Sequence, residues 1–216
     1  MSLSNRLRIT EIFFSLQGES LSSGLPTVFV RLTGCPLRCQ YCDTEYAFQG
    51  GEWLTFDEII RKITDFGASY VCVTGGEPLA QKNCKALLAL ICDQGLNVSL
   101  ETSGALPIDD IDPRVFCVMD LKTPGSGEES KNHWENIALL GKNDQLKFVL
   151  CSREDYDWAK QVIKKYDLLG RLEVLFSVSF GQLEPRELAG WILKDRLNVR
   201  FQMQLHKLLW NDEPGH

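Results

Sequence analysis

Three cysteines lie within eight residues of the segment GCPLRCQYCDT, which runs from Gly34 to Thr44. Cys35, Cys39 and Cys42 have the spacing CxxxCxxC, which lets one loop wrap three corners of a single metal cluster. Structural zinc sites and closed iron–sulfur sites normally use four protein ligands. Three thiolates without a nearby fourth therefore indicate either a distant partner or an iron left open for another ligand.

Zinc binding and chance packing in the core are the two rival origins of the cysteine cluster. Zinc is the main rival, but His133, His206 and His216 are scattered and form no pair with zinc-finger spacing. Chance packing of core cysteines is disfavoured, because CPLRCQYC is polar and rich in turn-forming residues. The remaining five cysteines lie in or beside apolar runs and are expected to be small core residues: Cys72, Cys84, Cys92, Cys117 and Cys151.

The overall composition is that of one compact domain. With 216 residues and 44% hydrophobic content, the chain can form one sizeable core, so we expect a single domain over residues 1–216. A formal net charge of -6 disfavours nucleic acid as a partner and favours a small-molecule substrate, because nucleic-acid binding requires clustered Lys and Arg. No apolar run approaches the roughly 20 residues that span a bilayer, and the N-terminus lacks the apolar region of a signal peptide. These features predict a cytoplasmic protein without a membrane partner.

Short β-rich runs alternate with helix-period segments along most of the chain. The predicted strands cover residues 27–32, 70–74, 97–101, 115–121, 145–150, 172–178 and 198–205. The predicted helices cover residues 55–66, with Thr55 as N-cap, 83–94, 153–166 and 185–195. This alternation is typical of α/β proteins with a mainly parallel sheet. Because a complete eight-fold barrel takes about 250 residues, we expect a partial, open parallel β/α barrel.

Polar segments follow most of the predicted strands. The cysteine loop follows the first strand, GGEP (75–78) the second, TSG (102–104) the third and KTPGSGE (122–128) the fourth, while His206 follows the last. Ligands of parallel α/β sheets bind at the carboxyl ends of the strands, so these segments are expected to face one crevice. The charge run EDYD (154–157) is interpreted instead as a solvated helix face.

The cysteine loop and the GGEP segment together resemble the radical S-adenosylmethionine (SAM) superfamily. The loop has the CxxxCxxC spacing with an aromatic residue, Tyr41, directly before the last cysteine, and GGEP follows the next predicted strand. The resemblance implies a [4Fe-4S] cluster held by Cys35, Cys39 and Cys42, with SAM chelating the open iron through its amino and carboxylate groups. One-electron reduction would then cleave SAM to a 5′-deoxyadenosyl radical.

A closer resemblance is to the 7-carboxy-7-deazaguanine synthase family of the queuosine and 7-deazapurine pathway. The motifs that carry it span almost the whole chain: LQGES (16–20), FVRLTGC (29–35), CDT (42–44), TGGEP (74–78), ETSG (101–104) and MQLHK (203–207). The family reaction converts 6-carboxy-5,6,7,8-tetrahydropterin to 7-carboxy-7-deazaguanine with loss of ammonia. The resemblance implies that the radical abstracts hydrogen from C6, that the ring contracts, and that SAM is regenerated. It also divides the domain into an N-terminal substrate-binding segment and a cluster loop over residues 34–50.

The resemblance implies three sets of site residues. SAM would contact Tyr41, Cys42, Asp43, Gly75, Gly76, Glu77, Leu121, Lys122, Thr123 and Ser177. The substrate would contact Leu16, Gln17, Gly18, Glu19, Arg31, Thr74 and His206. Thr44 would be a ligand of Mg²⁺, which commonly combines few protein oxygens with substrate oxygens.

Simple chemistry supports these assignments, and two departures from the family pattern limit them. Gln17 can pair with the amide and amino groups of a pterin edge, and the Arg31 guanidinium suits a carboxylate. The family often has a Gln-Pro pair where this chain has LFSVSFGQ (175–182), the segment that contains Ser177. Some members use their terminal carboxylate on the substrate, whereas this chain continues through residues 208–216, to which we assign no role.

Partners and alternative functions follow from the same resemblance. The reaction needs a reducing protein such as flavodoxin or ferredoxin, and a homodimer is the family expectation. One alternative is an activase that uses the same cluster to install a glycyl radical on a protein partner; it would not need LQGE or MQLHK. The other is a zinc or iron–sulfur binding module without enzymatic activity.

Overall fold

Nine strands form one sheet in this computed structural model, which describes residues 5–211, 213 and 215. In chain order they are β1 (Arg6–Leu16), β2 (Pro26–Leu32), β3 (Glu52–Thr55), β4 (Tyr70–Gly75), β5 (Asn97–Thr102), β6 (Phe116–Asp120), β7 (Gln145–Leu150), β8 (Glu173–Val178) and β9 (Arg200–Gln202). Their order across the sheet is β3-β1-β2-β4-β5-β6-β7-β8-β9.

The sheet is parallel from β2 to β9 in this order, and antiparallel only where β1 pairs with β2 and β3. Strands β3 and β9 stand at its two ends, so the sheet formed by the described residues is open. This confirms the predicted partial parallel β/α barrel. All seven predicted strands exist, with ends that differ by up to a few residues.

Strands β1 and β3 were missed by the sequence analysis for identifiable reasons. The alternation of β1 changes phase at a register shift between Ile9 and Glu11, so the apolar residues on its two halves no longer share one periodicity. Strand β3 has only four residues, which is too short for a periodic signal. Together these strands extend the parallel sheet on its N-terminal side.

Six α-helices accompany the sheet in the described residues: α1 (Phe56–Asp65), α2 (Cys84–Asp93), α3 (Asn136–Leu139), α4 (Arg153–Lys165), α5 (Pro185–Asp195) and α6 (Leu205–Trp210). The four long ones confirm the predicted helices, and α3 and α6 are short. Thr55 caps α1 as predicted: its hydroxyl accepts a hydrogen bond from the Glu58 backbone N–H at 3.3 Å. The Glu58 carboxylate accepts one in return from the Thr55 N–H at 2.7 Å, which completes a capping box.

The prediction of a strand over residues 198–205 is wrong at its C-terminal end. Only Arg200–Gln202 is extended, and helix α6 begins at Leu205, so His206 lies in a helix. The chain turns here because the Leu205 N–H donates to the carbonyl oxygen of Gly18 at 2.9 Å. A long-range contact of this kind overrides the alternating pattern of the segment.

Two buried clusters form the core of the molecule. One packs α1 and α2 against the β1–β5 side of the sheet, and the other packs α4 and α5 against β6–β8. Four of the five cysteines expected in the core are buried: Cys72, Cys84, Cys92 and Cys117. Cys151 is instead half-buried, with its Sγ 3.5 Å from Nε2 of Gln40. Among the described residues, no helix has the length and apolar character needed to cross a membrane.

The interpretation of residues 154–157 as a solvated face is wrong for two of the four residues. Tyr156 is fully buried and Asp155 is 1% exposed. Tyr156 packs edge-on against Phe176, with ring centroids 5.8 Å apart. The acidic residues of this segment suggested an exposed face, although two of its four positions point into the protein from helix α4.

Candidate active site

A cavity of about 670 Å³ opens where the parallel strands end. Its walls include Thr74, Thr102, Val149 and Val178, which lie at the carboxyl ends of β4, β5, β7 and β8. The predicted site residues that line it are Leu16, Gln17, Gly18, Glu19, Arg31, Cys35, Cys39, Tyr41, Cys42, Asp43, Thr44, Thr74, Gly75, Gly76, Lys122 and His206. The structure therefore brings most of the predicted site into one crevice.

The three thiols of the cluster loop face this cavity. Cys35, Cys39 and Cys42 are free and half-buried, and the Cys42 N–H donates to the Cys39 carbonyl oxygen at 3.1 Å. Burial raises the pKa of Cys39 to about 11 and raises the pKa of the other two thiols as well. A bound metal favours the thiolate and reverses this preference.

The spacing of the thiols bears on which metal group they fit. No three His, Cys, Asp or Glu side chains in the described part of the chain converge as they would around one ion. The three thiols come from one loop and line one cavity, and thiolates are the usual ligands of polynuclear iron–sulfur clusters. The donor set therefore fits an iron–sulfur cluster better than a tetrahedral zinc ion.

The glycines of GGEP allow the cluster loop to approach the sheet. A Cβ on Gly76 would lie 2.4 Å from the carbonyl oxygen of Gly34 and 2.8 Å from Cβ of Cys35. The next residue, Glu77, donates its backbone N–H to the same Gly34 oxygen at 2.8 Å. The second glycine is therefore required for the cluster loop to pack where it does.

Four predicted SAM contacts lie behind the cavity wall. The Glu77 side chain is fully buried and its carboxylate accepts hydrogen bonds from the N–H groups of Leu79 and Ser103, at 2.9 and 2.7 Å, and from the Thr102 hydroxyl at 2.9 Å. The other three are also buried and do not line the cavity: Leu121, Thr123 and Ser177. The Thr123 hydroxyl donates to the Val149 carbonyl oxygen at 3.0 Å. These side chains support the wall that the neighbouring residues present.

A carboxylate that the sequence analysis did not assign links two residues that were predicted to contact the substrate. Glu101, at the end of β5, accepts a hydrogen bond from Nε2 of Gln17 at 3.2 Å and one from the Thr74 hydroxyl at 3.0 Å. Gln17 in turn accepts the Glu19 backbone N–H through Oε1 at 3.1 Å. The signal for Glu101 was present, since it is the charged residue of ETSG at the end of an otherwise uncharged strand.

Arg31 is held at the cavity wall by an ion pair and by two aromatic rings. Its Nε donates to Oε1 of Glu11 at 2.7 Å, and the Tyr46 hydroxyl donates to the same oxygen at 2.9 Å. The guanidinium carbon lies 5.8 Å from the ring centroids of both Phe13 and Tyr46. Because β1 was not predicted, neither Glu11 nor Phe13 could be placed beside Arg31 from the sequence.

Lysines and carboxylates alternate across the cavity floor. Nζ of Lys147 lies 2.6 Å from Oε2 of Glu19, and Nζ of Lys122 lies 2.9 Å from Oδ2 of Asp120. Burial alone would lower the pKa of Lys147, but Glu19 and Asp120 outweigh it and raise that pKa. Burial would likewise lower the pKa of Lys122, but the negative charge of Asp120 outweighs burial, so the pKa of Lys122 is also raised. Both side chains are therefore ammonium ions at neutral pH.

Oxygen donors lie in the cluster loop directly after Cys42. The Thr44 hydroxyl donates to Oδ1 of Asp43 at 2.7 Å, and Nζ of Lys207 lies 3.5 Å from Oδ2 of Asp43. Burial would raise the pKa of Asp43, but the Thr44 hydrogen bond and the charges of Lys207 and His206 outweigh it and lower that pKa. An ionised carboxylate beside a hydroxyl is a donor set that suits Mg²⁺.

Helix α6 joins the C-terminal part of the chain to the N-terminal turn. A Cβ on Gly18 would lie 2.2 Å from Nδ1 of His206, so the imidazole packs directly against the glycine backbone. Nε2 of Gln204 donates to Oε1 of Glu19 at 2.8 Å. The LQGES and MQLHK motifs are thus parts of one wall, although they stand at opposite ends of the sequence.

Comparison with known proteins defines first the class of this site. Residues 29–113 match the radical SAM superfamily. The crystal structure of QueE from Escherichia coli has a TM-score of 0.77 to this structure at 21% sequence identity, covering 93% of this chain and 95% of that chain. At this level of identity, the likeness shows a shared fold.

Curated relatives then define the family. The 7-carboxy-7-deazaguanine synthase of Chlorobaculum tepidum is 48% identical over 216 aligned residues, which cover 99% of this chain and 98% of that protein. The 7-carboxy-7-deazaguanine synthase of Koribacter versatilis is 37% identical over 222 aligned residues, which cover 96% of this chain and 98% of that protein. The chain therefore belongs to the 7-carboxy-7-deazaguanine synthase family of radical SAM enzymes, which confirms the resemblance found in the sequence.

Proposed function

We propose that this protein converts 6-carboxy-5,6,7,8-tetrahydropterin to 7-carboxy-7-deazaguanine with release of ammonia, in queuosine or 7-deazapurine biosynthesis. The observation that carries the proposal is one cavity lined by three different sets of groups: the three thiols of the cluster loop, the lysines and carboxylates of the cavity floor, and Arg31. Relatives with this name match nearly the full length of the chain. A glycyl-radical activase or a metal-binding module would have no need of the polar floor.

Residues of the cluster loop, together with Lys122, would hold the cofactors. Cys35, Cys39 and Cys42 would supply thiolates for the [4Fe-4S] cluster, and the Lys122 ammonium, which lines the same cavity, would pair with the carboxylate of SAM. Once bound, the cluster and SAM supply the one-electron chemistry that removes a hydrogen atom from the substrate. The Tyr41 ring lies 5.8 Å from Nζ of Lys122 and offers a flat surface for the adenosine.

The buried SAM candidates would act indirectly. Glu77 fixes the GGEP turn through its hydrogen bonds to the segment after β5, which keeps Gly75 and Gly76 at the cavity surface. Leu121, Thr123 and Ser177 maintain the wall behind Lys122 and the end of β8 in the same way. We therefore assign these four residues to support of the SAM site rather than to contact with SAM.

The two ends of the substrate would be held by two different groups of cavity residues. Gln17, Thr74 and Glu101 form a connected set of donors and acceptors that suits the amide and amino groups of the pterin edge. Arg31, already oriented by Glu11, would bind the substrate carboxylate. Leu16, Gly18, Glu19 and His206 complete the wall around the pterin. Fixing the substrate at two ends places C6 for hydrogen abstraction.

Mg²⁺, the reductant and the oligomer complete the proposal. Thr44 and Asp43 would hold Mg²⁺ beside the substrate carboxylate, with water as the remaining ligands. An external protein such as flavodoxin or ferredoxin would deliver the electron to the cluster. The enzyme would act in the cytoplasm as a homodimer. Its net charge of -6 supports a small-molecule substrate rather than nucleic acid.

Product identification tests the proposed function directly. Anaerobically reconstituted protein, which should carry about four irons, is incubated with reductant, SAM, Mg²⁺ and 6-carboxytetrahydropterin, and the products are identified by mass spectrometry. Formation of 7-carboxy-7-deazaguanine with release of ammonia is the expected result. An intact, reduced cluster that yields no deazaguanine, and that forms a radical only when a protein partner is added, would identify an activase instead.

A further inference from the structure

Four charged side chains that are largely shielded from solvent form a row across the cavity floor, here called the charge row: Glu19, Lys147, Asp120 and Lys122. Their charges alternate in sign, and none of the four side chains is more than 16% exposed. Asp120 and Lys147 are register partners on the adjacent parallel strands β6 and β7, which fixes the centre of the row. Glu19 stands at the substrate end and Lys122 at the SAM end.

The middle of the charge row has two competing contacts. Nζ of Lys147 lies 2.6 Å from Oε2 of Glu19 but 3.8 Å from Oδ2 of Asp120. The same Asp120 oxygen accepts a hydrogen bond from Nζ of Lys122 at 2.9 Å. The other oxygen of Asp120 is buried and has no hydrogen-bond partner among the described residues. Lys147 therefore stands just beyond hydrogen-bond distance of a carboxylate that Lys122 now occupies.

We propose that Lys147 is a positioning residue that couples the binding of SAM at Lys122 to the binding of the pterin at Glu19. The inference rests on the proposed function. When the carboxylate of SAM pairs with Lys122, Asp120 loses its nearest cation and Lys147 moves toward Asp120. Oε2 of Glu19 is then available to accept an N–H of the pterin edge. SAM tightens pterin binding, and linkage requires that the pterin tighten SAM binding by the same factor.

Other contacts keep Glu19 in place while its ammonium partner moves. Its Oε1 accepts a hydrogen bond from Nε2 of Gln204 at 2.8 Å, and its backbone N–H donates to Oε1 of Gln17 at 3.1 Å. Loss of the Lys147 contact therefore frees one carboxylate oxygen without releasing the residue. A freed acceptor in a site of low dielectric constant binds an N–H donor strongly, because an unpaired buried carboxylate is costly.

Binding measurements on the holoenzyme test the coupling. The dissociation constant of 6-carboxytetrahydropterin is measured by anaerobic calorimetry with and without SAM, with the cluster left oxidised so that no turnover occurs. SAM should lower the dissociation constant of the wild type by about five-fold or more. Lys147→Met and Asp120→Asn interrupt the charge row at different points, and each should bring the ratio of the two constants close to one.

Two further variants separate coupling from general damage. Lys147→Arg keeps the cation and should retain most of the coupling. Lys160→Met removes a surface lysine of α4 that pairs with Asp195, and it should show the wild-type ratio. If Lys147→Met does not fold, Asp120→Asn decides the question, because it leaves the Lys147–Glu19 pair intact.

The possible outcomes distinguish this inference from the proposed function. Coupling that survives in both Lys147→Met and Asp120→Asn would arise from direct contact between the two ligands and would overturn the role of Lys147. Absence of coupling in a wild type that forms 7-carboxy-7-deazaguanine would also overturn it, and would leave the proposed function standing. A wild type that neither binds nor converts the carboxypterin would refute both.

Discussion

Gly76 faces the carbonyl oxygen of Gly34 so closely that a Cβ on Gly76 would lie 2.4 Å from it. The same Cβ would lie 2.8 Å from Cβ of Cys35, the first thiol of the cluster loop. The obstacles are a backbone carbonyl and a Cβ atom, neither of which can rotate away. The GGEP segment therefore determines where the cluster loop sits, in addition to any contact it makes with SAM.

Gly76→Ala should displace the cluster loop and reduce iron binding. We expect less iron after anaerobic reconstitution than in the wild type, and little or no SAM cleavage, measured by iron analysis and by release of 5′-deoxyadenosine. Gly190→Ala is the matched control, because a Cβ at Gly190 meets no atom within 4 Å and lies within helix α5. That change should stabilise the protein by about 0.5–1 kcal/mol. Wild-type iron content in Gly76→Ala would show that the loop tolerates the methyl group.

Thr44→Val should weaken the dependence on Mg²⁺ while leaving the cluster intact. The Thr44 hydroxyl lies beside an ionised Asp43, and hard cations bind such oxygens rather than thiolates. The Mg²⁺ concentration for half-maximal activity should rise by roughly ten-fold, the usual cost of disturbing the groups around a metal. Thr64→Val, at an exposed hydroxyl near the end of α1, should behave as the wild type. Full turnover by chelator-treated wild type would remove the role of the ion.

Arg31→Ala should impair use of the carboxypterin far more than it impairs cluster assembly. Arg31 lines the cavity and is oriented by Glu11, so its loss removes a charge-assisted contact worth about 1.5–3 kcal/mol, or on the order of 10- to 100-fold in affinity. The comparison is wild type against Arg31→Ala with the carboxypterin and with an analogue that lacks the carboxylate. The analogue should bind wild type poorly and lose less in the variant. Equal losses for both compounds would mean that Arg31 does not bind the carboxylate.

The sequence predicts the parallel part of the fold well, because strands such as β4 and β8 have consecutive buried residues and appear as short apolar runs. Strand β1 was not predicted, since its register shift breaks the alternation of apolar and polar residues. Helix α6 was not predicted because its start depends on the contact of Leu205 with Gly18, which no local pattern encodes. Local periodicity therefore identifies the framework and misses β1 and α6, which carry Glu11 and His206.

Some site residues can be identified from the sequence and others cannot. Motif spacing identifies the thiols and the glycines, since the residues of each motif lie close together in the sequence and act within one loop or turn. Lys147 and Asp120 were not identified, because each stands in or at the end of an apolar strand and acquires its role from a distant partner. Lys147 and Glu19, for example, are 128 residues apart in the sequence yet form a direct ion pair. Charge pairs between distant segments form only in the folded chain, so they cannot be predicted from a single sequence.

The Asp155 carboxylate ties the segment after Lys122 to helix α4. Its Oδ1 accepts the Gly125 N–H at 2.8 Å and its Oδ2 accepts the Cys151 N–H at 2.9 Å, and the residue is 1% exposed. Nε2 of Gln40, a residue of the cluster loop, donates to the Gly125 carbonyl oxygen at 3.0 Å. One buried carboxylate thus helps to hold the segment after Lys122 against the cluster loop.

Asp155→Asn should therefore lower both the stability of the fold and the affinity for SAM. The amide keeps one acceptor but turns an NH₂ group toward a backbone N–H, which leaves buried donors unpaired at a cost of about 1–3 kcal/mol. The free energy of unfolding is measured by urea titration under anaerobic conditions, and SAM binding by calorimetry. Asp157→Asn, on the same helix, weakens only surface ion pairs, with Arg153 and with Lys160, and should cost no more than about 1 kcal/mol. Equal losses in the two variants would show that Asp155 contributes no more than a surface charge.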